Sequence, residues 1–306
     1  MKKEMTIKYP HSATLFQFCR RVLDHKFGGI RVIDQDVGQI LGFDPADCSH
    51  WKKGKKNIRS IHAMRSIADH LDVDEKLVVD VASGEMTATE AYFEYAGYGA
   101  TFVDPKVIDL AKKDYYRRHT HTWSRDMEME FKAYFSIDEQ EIDRVVDHIH
   151  RKIDFKEAPL YLPEIVAAFP HLKLQTDDSE SAKSSESTPF PVRFRQDSEV
   201  TEISYPADIK MKPYIRYQIA KCLSRSFLVD KSDPPRDMAS HFEHIHEVQA
   251  NIFATKLLTP GNLVKKELAN LNVAKDIVSQ LAEVFWVSKT LMNRRLKEIL
   301  QSTSPI

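Results

Sequence analysis

The sequence predicts a mainly α-helical protein with a small β-sheet, an α+β arrangement divided between two domains. Three observations indicate this fold class. Apolar residues recur at helical spacing through most of the chain, strand-like alternation is confined to short runs, and 306 residues exceed the usual size of one domain. We expect an all-α domain at 1–87, an aromatic-rich helical connector at 88–135 that packs between domains or in a dimer, and an α+β domain at 136–306.

The charge and composition limit the classes of protein that the sequence can encode. The chain has 44 basic and 45 acidic residues and a formal net charge of −1, so no overall field draws it to nucleic acid or membranes. Any DNA binding must therefore come from a local patch. Three widely spaced cysteines, Cys19, Cys48 and Cys222, with no visible signal peptide or membrane span, lead us to expect a soluble, cytoplasmic protein.

The first part of the chain is predicted to form short helices with clear boundaries. Apolar residues recur at helical spacing over 14–22. Gly42 is suited to end a second helix, Asp44 to cap a third, and Pro45 to occupy its first turn. A further helix is expected at 58–71, where apolar residues again share one face.

Residues 34–77 resemble the helix-turn-helix domain of the Xre (phage repressor) family. The resemblance rests on these boundary residues and on Trp51, which is expected to anchor the third helix to the core. It departs at Gly38, where the family usually has Ala, and in the acidic Asp44 and Asp47 at the start of the third helix. The resemblance implies a domain that binds double-stranded DNA, as a homodimer on two half-sites.

The third helix and the loop after it contain the candidate DNA contacts. Base readout is expected from Ala46, Ser49 and His50, with Asp47 able only to accept hydrogen bonds, as from cytosine. Phosphate contacts are expected from five cations that no acidic residue interrupts, which are Lys52, Lys53, Lys55, Lys56 and Arg59. The alternative is an ordinary solvated loop in a helical protein-interaction module.

The C-terminal domain is predicted to begin with two amphipathic helices, at 137–153 and 162–169. A run at 176–189 is rich in Asp, Glu and Ser and has no large apolar residue, so we expect a mobile loop there. Alternating residues around this loop predict the strands of a small sheet, at 172–174, 192–194 and 201–205.

Two amphipathic helices with buried faces are predicted to organise this domain, and they read YIRYQIAKCLSRSFL at 214–228 and EVQANIFATKLLTP at 247–260. They resemble the core helices of the ImmA/IrrE family of zinc metallopeptidases, where R-F-x-x-A-H-E-L-x-H-x-L-L is followed by E-x-x-A-N-x-F-A-x-x-L-L-x-P. The closing run 274–300, two helices joined at Trp286, resembles the end of the same family. Together the resemblances imply a DNA-binding domain fused to a peptidase-like domain, as found in bacterial and phage regulators.

By this resemblance, the two His ligands of the family are replaced in this chain, and only its Glu ligand survives. The resemblance places Lys221 and Arg225 where the family has its two zinc-binding His, Cys222 where it has the general-base Glu, and Glu247 at the remaining ligand position. An ammonium group has no lone pair and a guanidinium stays protonated, so neither binds a dication. We expect no metal, cofactor or catalytic residue here, and an ion pair from Glu247 to Arg225 or Lys221 in place of zinc. The alternative is that these side chains are solvated in an open cleft.

Three other features have both a functional and a simpler interpretation. Cys222 beside cations could be nucleophilic or redox-active, but a small buried residue is favoured. Arg294 and Arg295 could form a second DNA contact, but packing against the core helices is favoured. A relocated metal site could form from four residues that are otherwise a polar helix start, which are His241, Glu243, His244 and Glu247.

The sequence therefore favours a cytoplasmic transcriptional regulator whose peptidase-like domain has lost its zinc site. That domain would act as a sensor of a protein or small-molecule effector, as a partner-binding module or as a dimerisation module, with no membrane partner. Two alternatives stay open. One is an active peptidase with a rearranged metal site that cleaves a repressor-like partner, and the other is an antitoxin-like or phage-defence adaptor that does not bind DNA.

Overall fold

The computed structural model is mainly helical with a small three-stranded sheet, as the sequence predicts. It divides into two compact units, Met1–Gly97 and Tyr98–Ile306, and the stretch 88–135 spans the boundary between them. The structure describes residues 7–27, 32–96, 98, 101, 103, 105–118, 129, 131, 136–177, 192–196, 200–206, 211–228, 239–272 and 276–303. Within these ranges, no helix combines the length and apolar character that crossing a membrane requires.

The N-terminal unit is all-α. Its helices are α1 (Pro10–Lys26), α2 (Asp34–Leu41), α3 (Pro45–Lys52), α4 (Ile61–Leu71), α5 (Glu75–Ser83) and α6 (Ala88–Ala96). The predicted boundaries of α2 and α3 are present, because Gly42 has a φ of 71° at the end of α2 and the Asp44 carboxylate accepts a hydrogen bond from the Ala46 N–H at 2.8 Å. The helix expected from residue 58 begins instead at Ile61, since the Ser60 hydroxyl caps its first turn.

Helix α1 supplies much of the core of this unit. Leu15, Phe18, Cys19 and Val22 are fully buried, and the helix packs against each of α2 to α6. Burying side chains of this size is the main term that stabilises so small a unit. The short helices that follow α1, including α3, are therefore held against one central element.

The C-terminal unit is α+β. Its helices are α7 (Pro105–Arg118), α8 (Glu139–Lys152), α9 (Leu162–Ala168), α10 (Pro213–Phe227), α11 (Ala239–Leu258), α12 (Gly261–Leu268), α13 (Ile277–Phe285) and α14 (Lys289–Thr303). Its strands are β1 (Leu172–Asp177), β2 (Arg193–Gln196) and β3 (Thr201–Pro206). Strand β3 is central, parallel to β1 and antiparallel to β2.

Strand β1 is longer than predicted. Thr176 and Asp177 were expected in the mobile loop 176–189, but they pair with Tyr205 and Pro206 of β3. Their backbone groups find partners in the ladder, which extends the strand beyond its last large apolar residue. The remainder of the predicted loop, 178–189, lies outside the described residues.

Helices α10 and α11 form the centre of the C-terminal unit, as predicted. Tyr217 and Leu223 of α10 and Phe253 of α11 are fully buried between them and their neighbours. Arg216 is also buried, with 1% exposure, although it is charged. Its guanidinium donates to the Leu160 carbonyl at 2.9 Å and to the Trp286 carbonyl at 3.1 Å, which fixes the ends of two other segments against α10.

His150 joins α8 to α11. Its Nε2 lies 3.0 Å from the Leu257 carbonyl oxygen, so the neutral ring donates a hydrogen bond there. Burial lowers the pKa of His150 below its usual value, because desolvation disfavours the imidazolium and outweighs the opposing carbonyl and Asp147. As pH falls below about 6.5, the unfolded chain takes up a proton that the folded unit resists, so the contribution of His150 to stability is lost with acidification.

We expect His150→Gln to reduce the loss of stability on acidification. The Gln amide can still donate to the Leu257 carbonyl but does not titrate, so the drop in the free energy of unfolding between pH 7 and pH 5 should shrink. Urea unfolding at a series of pH values measures this change. His148→Gln on the exposed side of the same helix is the control. An identical pH dependence in both variants would contradict the assignment.

Candidate functional site

Helices α2 and α3 approach each other closely at Gly38. A Cβ at this position would lie 2.9 Å from Cys48 Sγ and 2.9 Å from the Phe43 carbonyl oxygen, closer than side chains come in folded proteins. Even the methyl group of an Ala would therefore have no room at this position. A larger residue would push α3 away from α2 and change the angle at which α3 is presented.

Trp51 fixes α3 to the rest of the N-terminal unit. Its side chain is fully buried, with its ring centroid 5.2 Å from that of Phe16 and 5.1 Å from that of Phe43. The indole N–H donates to the Ser12 carbonyl on α1. The predicted anchor is confirmed, and it leaves the other face of α3 accessible. That face presents the candidate base-reading residues. Ala46 and His50 are exposed, and Asp47 and Ser49 are half-buried.

The loop after α3 is held by hydrogen bonds to its backbone. The Tyr9 N–H donates to the Gly54 carbonyl at 2.8 Å, and the Lys55 N–H donates to the His50 carbonyl at 2.8 Å. Ser12 Oγ accepts from the Ile58 N–H at 3.0 Å. The cationic side chains of this loop therefore project from a backbone of defined path.

Four of the five predicted phosphate contacts are exposed, and three of these four have no carboxylate partner among the described residues. Lys53, Lys55 and Arg59 all lie at the surface. In the part of the chain that the structure describes, no carboxylate forms an ion pair with any of them. Their charges are available to an external anion.

The other two lysines are paired with carboxylates. Lys52 Nζ lies 2.7 Å from Asp34 Oδ2, and Lys56 Nζ pairs with the Asp47 carboxylate. No acidic residue interrupts the cations along the chain, but folding brings these two carboxylates to them. The Asp47 carboxylate is therefore engaged by Lys56, so the predicted acceptance of a hydrogen bond from cytosine would require this pair to open.

The predicted ion pair between the two core helices is present in the C-terminal unit. Lys221 of α10 pairs with Glu247 of α11, with 10% of the Lys221 side chain and 49% of the Glu247 side chain exposed. Arg225 does not share this contact, because its guanidinium lies 5.2 Å from the Phe194 ring centroid. The Lys221 ammonium group therefore joins α10 to α11 through the Glu247 carboxylate.

Cys222 lies beside this pair in an environment that disfavours its thiolate. Burial raises the pKa of Cys222 to about 11, and this effect outweighs the opposite influence of Arg225 and Lys221. The sulfur is therefore protonated at neutral pH. This favours the interpretation of Cys222 as a small packing residue over that of a nucleophile.

The candidate relocated metal site is only partly covered by the structure. Among the described side chains, no three His, Cys, Asp or Glu residues lie together as metal ligands would. Glu243 is exposed and His244 half-buried, while the His241 side chain lies outside the described residues.

Arg294 and Arg295 pack against the core helices, in agreement with the favoured interpretation. Arg294 Nη2 donates to the Tyr217 hydroxyl and the Thr255 hydroxyl, each at 3.4 Å. Arg295 Nε donates to the Thr259 carbonyl at 3.0 Å. Both guanidinium groups are therefore engaged within their own unit.

A cleft of about 670 Å³ lies among α8, α11, α12 and α14. Lys256 in its lining is paired with Glu139 at 3.1 Å and with Asp143 at 2.7 Å. Arg295, also in the lining, is paired with Glu298 at 3.1 Å. Sequence reasoning missed this cleft because its residues come from four helices and from Thr101 and form no motif.

No protein-family model, curated protein or solved structure matches this chain.

Proposed function

We propose that the protein is a DNA-binding transcriptional regulator that binds duplex DNA through α3 and acts as a homodimer. Its peptidase-like C-terminal unit acts as a sensor, partner-binding or dimerisation module. The observation that carries the proposal is the accessible face of α3 followed by three exposed cations, Lys53, Lys55 and Arg59.

The dimensions and polarity of α3 suit the major groove. The helix has eight residues and is about 12 Å long, comparable with the width of that groove in B-DNA. Trp51 and Cys48 bury one face, so the side that remains carries small and polar groups. Ser49 and His50 can donate or accept hydrogen bonds to base edges, while the cations after α3 are suited to contact the phosphates that flank the groove.

Because the chain is nearly neutral overall, its affinity for DNA depends on the local cations beside α3. With a formal net charge of −1, the protein has no long-range attraction to DNA to supplement it. Affinity must come from the few cations beside α3 and from pairing two half-sites in a dimer. The half-sites of such a dimer would be separated by about one helical turn of DNA, roughly 34 Å.

In the C-terminal unit, the Lys221–Glu247 pair supports the second part of the proposal. It joins α10 and α11 through a charge pair at the position where zinc chemistry would need lone pairs. The role left to this unit is recognition. The cleft of about 670 Å³ has the volume of a small-molecule site but a lining rich in charged side chains, so an effector bound there would be polar.

Neutralising the unpaired cations tests the proposal. We expect the triple variant Lys53→Gln, Lys55→Gln, Arg59→Gln to lose affinity for duplex DNA of any sequence, because three phosphate contacts are removed. The plot of log affinity against log salt concentration should become less steep, by about 2.7 per protomer. Fluorescence anisotropy with a labelled upstream fragment and with an unrelated duplex, over a series of salt concentrations, measures both quantities.

The matched control removes the same number of charges from the C-terminal unit, with Lys152→Gln, Lys266→Gln and Lys297→Gln, all at exposed positions. It should bind DNA as the wild type does. Equal binding by the triple variant and this control would contradict the assigned surface, as an adaptor that does not bind DNA predicts. Failure of the wild type to bind any upstream fragment at low salt would refute the function itself.

A further inference from the structure

We propose that Asp34 and Asp47 hold Lys52 and Lys56 away from DNA phosphates, so that the protein binds DNA less tightly than its five cations would allow. This inference rests on the proposed function and deepens it. It assigns two carboxylates the role of limiting the sequence-independent part of DNA binding.

The Asp34 carboxylate interacts with two cations and lies at the start of a helix. Lys52 Nζ lies 2.7 Å from Oδ2, and Arg20 Nη1 of α1 lies 3.7 Å from Oδ1. Asp34 is also the first residue of α2, where the helix dipole favours negative charge. Lys52 therefore has an intramolecular partner at the end of α3.

Lys56 is paired in a comparable way. Its carboxylate partner, Asp47, lies in the first turn of α3, again where the helix dipole favours an anion. The Lys56 N–H also donates to the His50 carbonyl at 3.3 Å, which holds the residue close to α3. The Lys56 side chain therefore reaches back along the helix to its N-terminal turn instead of extending away from it.

Exposed ion pairs of this kind are weak, so a phosphate can compete for either lysine. Competition is nevertheless unfavourable here, because a phosphate that approaches Lys52 or Lys56 also approaches the carboxylate it displaces. Phosphates should therefore be bound by Lys53, Lys55 and Arg59. A cation contributes to the salt-dependent affinity only when it neutralises a phosphate and releases a counterion from DNA.

The consequence for affinity is large. With three contacts per protomer, affinity falls about 40-fold per protomer between 0.05 and 0.2 M salt, and with five contacts it falls about 500-fold. A smaller electrostatic contribution weakens binding to every sequence equally and leaves base contacts unchanged. The two carboxylates thus raise the share of affinity that depends on base readout, which is what a regulator needs among many competing sites.

The test compares the double variant Asp34→Asn, Asp47→Asn with the full-length wild type on an unrelated labelled duplex, by fluorescence anisotropy over a series of salt concentrations. We expect tighter binding at low salt and a slope that is steeper by about 1.8 per protomer. The control is Asp80→Asn on α5, which removes one carboxylate where the double variant removes two and releases Lys76 from a pair of 2.8 Å outside the α3 surface. It should leave both quantities unchanged.

A second arm keeps the carboxylates and so does not depend on how the double variant folds. In the otherwise wild-type protein, Lys52→Gln with Lys56→Gln should change the salt slope by much less than Lys53→Gln with Lys55→Gln. Equal losses from the two pairs, or a double Asp variant that binds like Asp80→Asn, would overturn the inference while leaving DNA binding intact. A wild type that binds no duplex at low salt would instead overturn the proposed function, and this inference with it.

Discussion

Trp51→Ala is expected to lower the free energy of unfolding of the N-terminal unit by about 3–5 kcal/mol. The side chain is fully buried, packs against Phe16 and Phe43, and donates its indole N–H to the Ser12 carbonyl. Removing it creates a cavity and leaves that carbonyl without its partner. A domain of this size is stable by only about 5–15 kcal/mol, so we expect a substantial fraction of the molecules to have this unit unfolded at 37 °C.

Urea unfolding followed by circular dichroism measures this change. Trp51→Phe keeps an aromatic ring but not the N–H, so it should cost about 1–3 kcal/mol, the penalty of an orphaned buried acceptor. The control is Phe27→Ala, another aromatic residue of the same unit that is 50% exposed, which should change stability by less than about 0.5 kcal/mol. If Trp51→Ala and Phe27→Ala unfold alike, Trp51 does not anchor α3.

Glu247→Ala is expected to destabilise the C-terminal unit by about 1–3 kcal/mol, because it leaves the Lys221 ammonium buried without its carboxylate. The figure lies below that for a fully buried pair since half of Glu247 is exposed and water reaches the site. Thermal unfolding measures the shift. The control is Glu243→Ala, an exposed residue one turn earlier on the same helix.

The reciprocal change separates an ion pair from a simple packing effect. Lys221→Met replaces the ammonium with an apolar group of similar length and leaves Glu247 half-exposed to water, so stability should stay within about 1 kcal/mol of the wild type. Glu247→Ala should therefore cost more than Lys221→Met. A Glu247→Ala protein that melts no lower than Glu243→Ala would show that the pair does not hold the two helices together.

The boundaries of the helices in the N-terminal unit could be predicted because they depend on local chemistry. Gly42 adopts a positive φ that other residues resist, and Asp44 caps a backbone N–H two residues away. Trp51 could be predicted as an anchor because a large aromatic side chain in a short helix has to be buried. Each of these properties depends on a few neighbouring residues, so it can be predicted from the sequence without knowledge of the fold.

The charge pairs that limit the candidate site could not be predicted in the same way. Lys52 and Asp34 are 18 residues apart, and Lys56 and Asp47 are nine apart with the end of α3 between them. The Lys52–Asp34 pair depends on the angle between α2 and α3, which the close approach at Gly38 sets, and the Lys56–Asp47 pair depends on the path of the loop after α3. A count of cations along the chain therefore overestimates the charge that DNA would encounter.

The same limit applies to the C-terminal unit. The sequence identified two candidate partners for Glu247, and only the fold distinguishes them, since Arg225 lies against Phe194 and Lys221 reaches α11. The cleft beside Lys256 could not be predicted from the sequence, because residues from α8, α11, α12 and α14 meet there only after folding.

Site-specific photocrosslinking tests most directly whether α3 binds DNA. A photoreactive phenylalanine analogue would replace His50, in the last turn of α3, or His70, an exposed residue in the last turn of α4. If α3 enters the major groove, the protein with the analogue at position 50 crosslinks to bound duplex, and raising the salt concentration suppresses the crosslink. The protein with the analogue at position 70 should give none. Equal crosslinking from both positions, or from position 70 alone, would contradict the account.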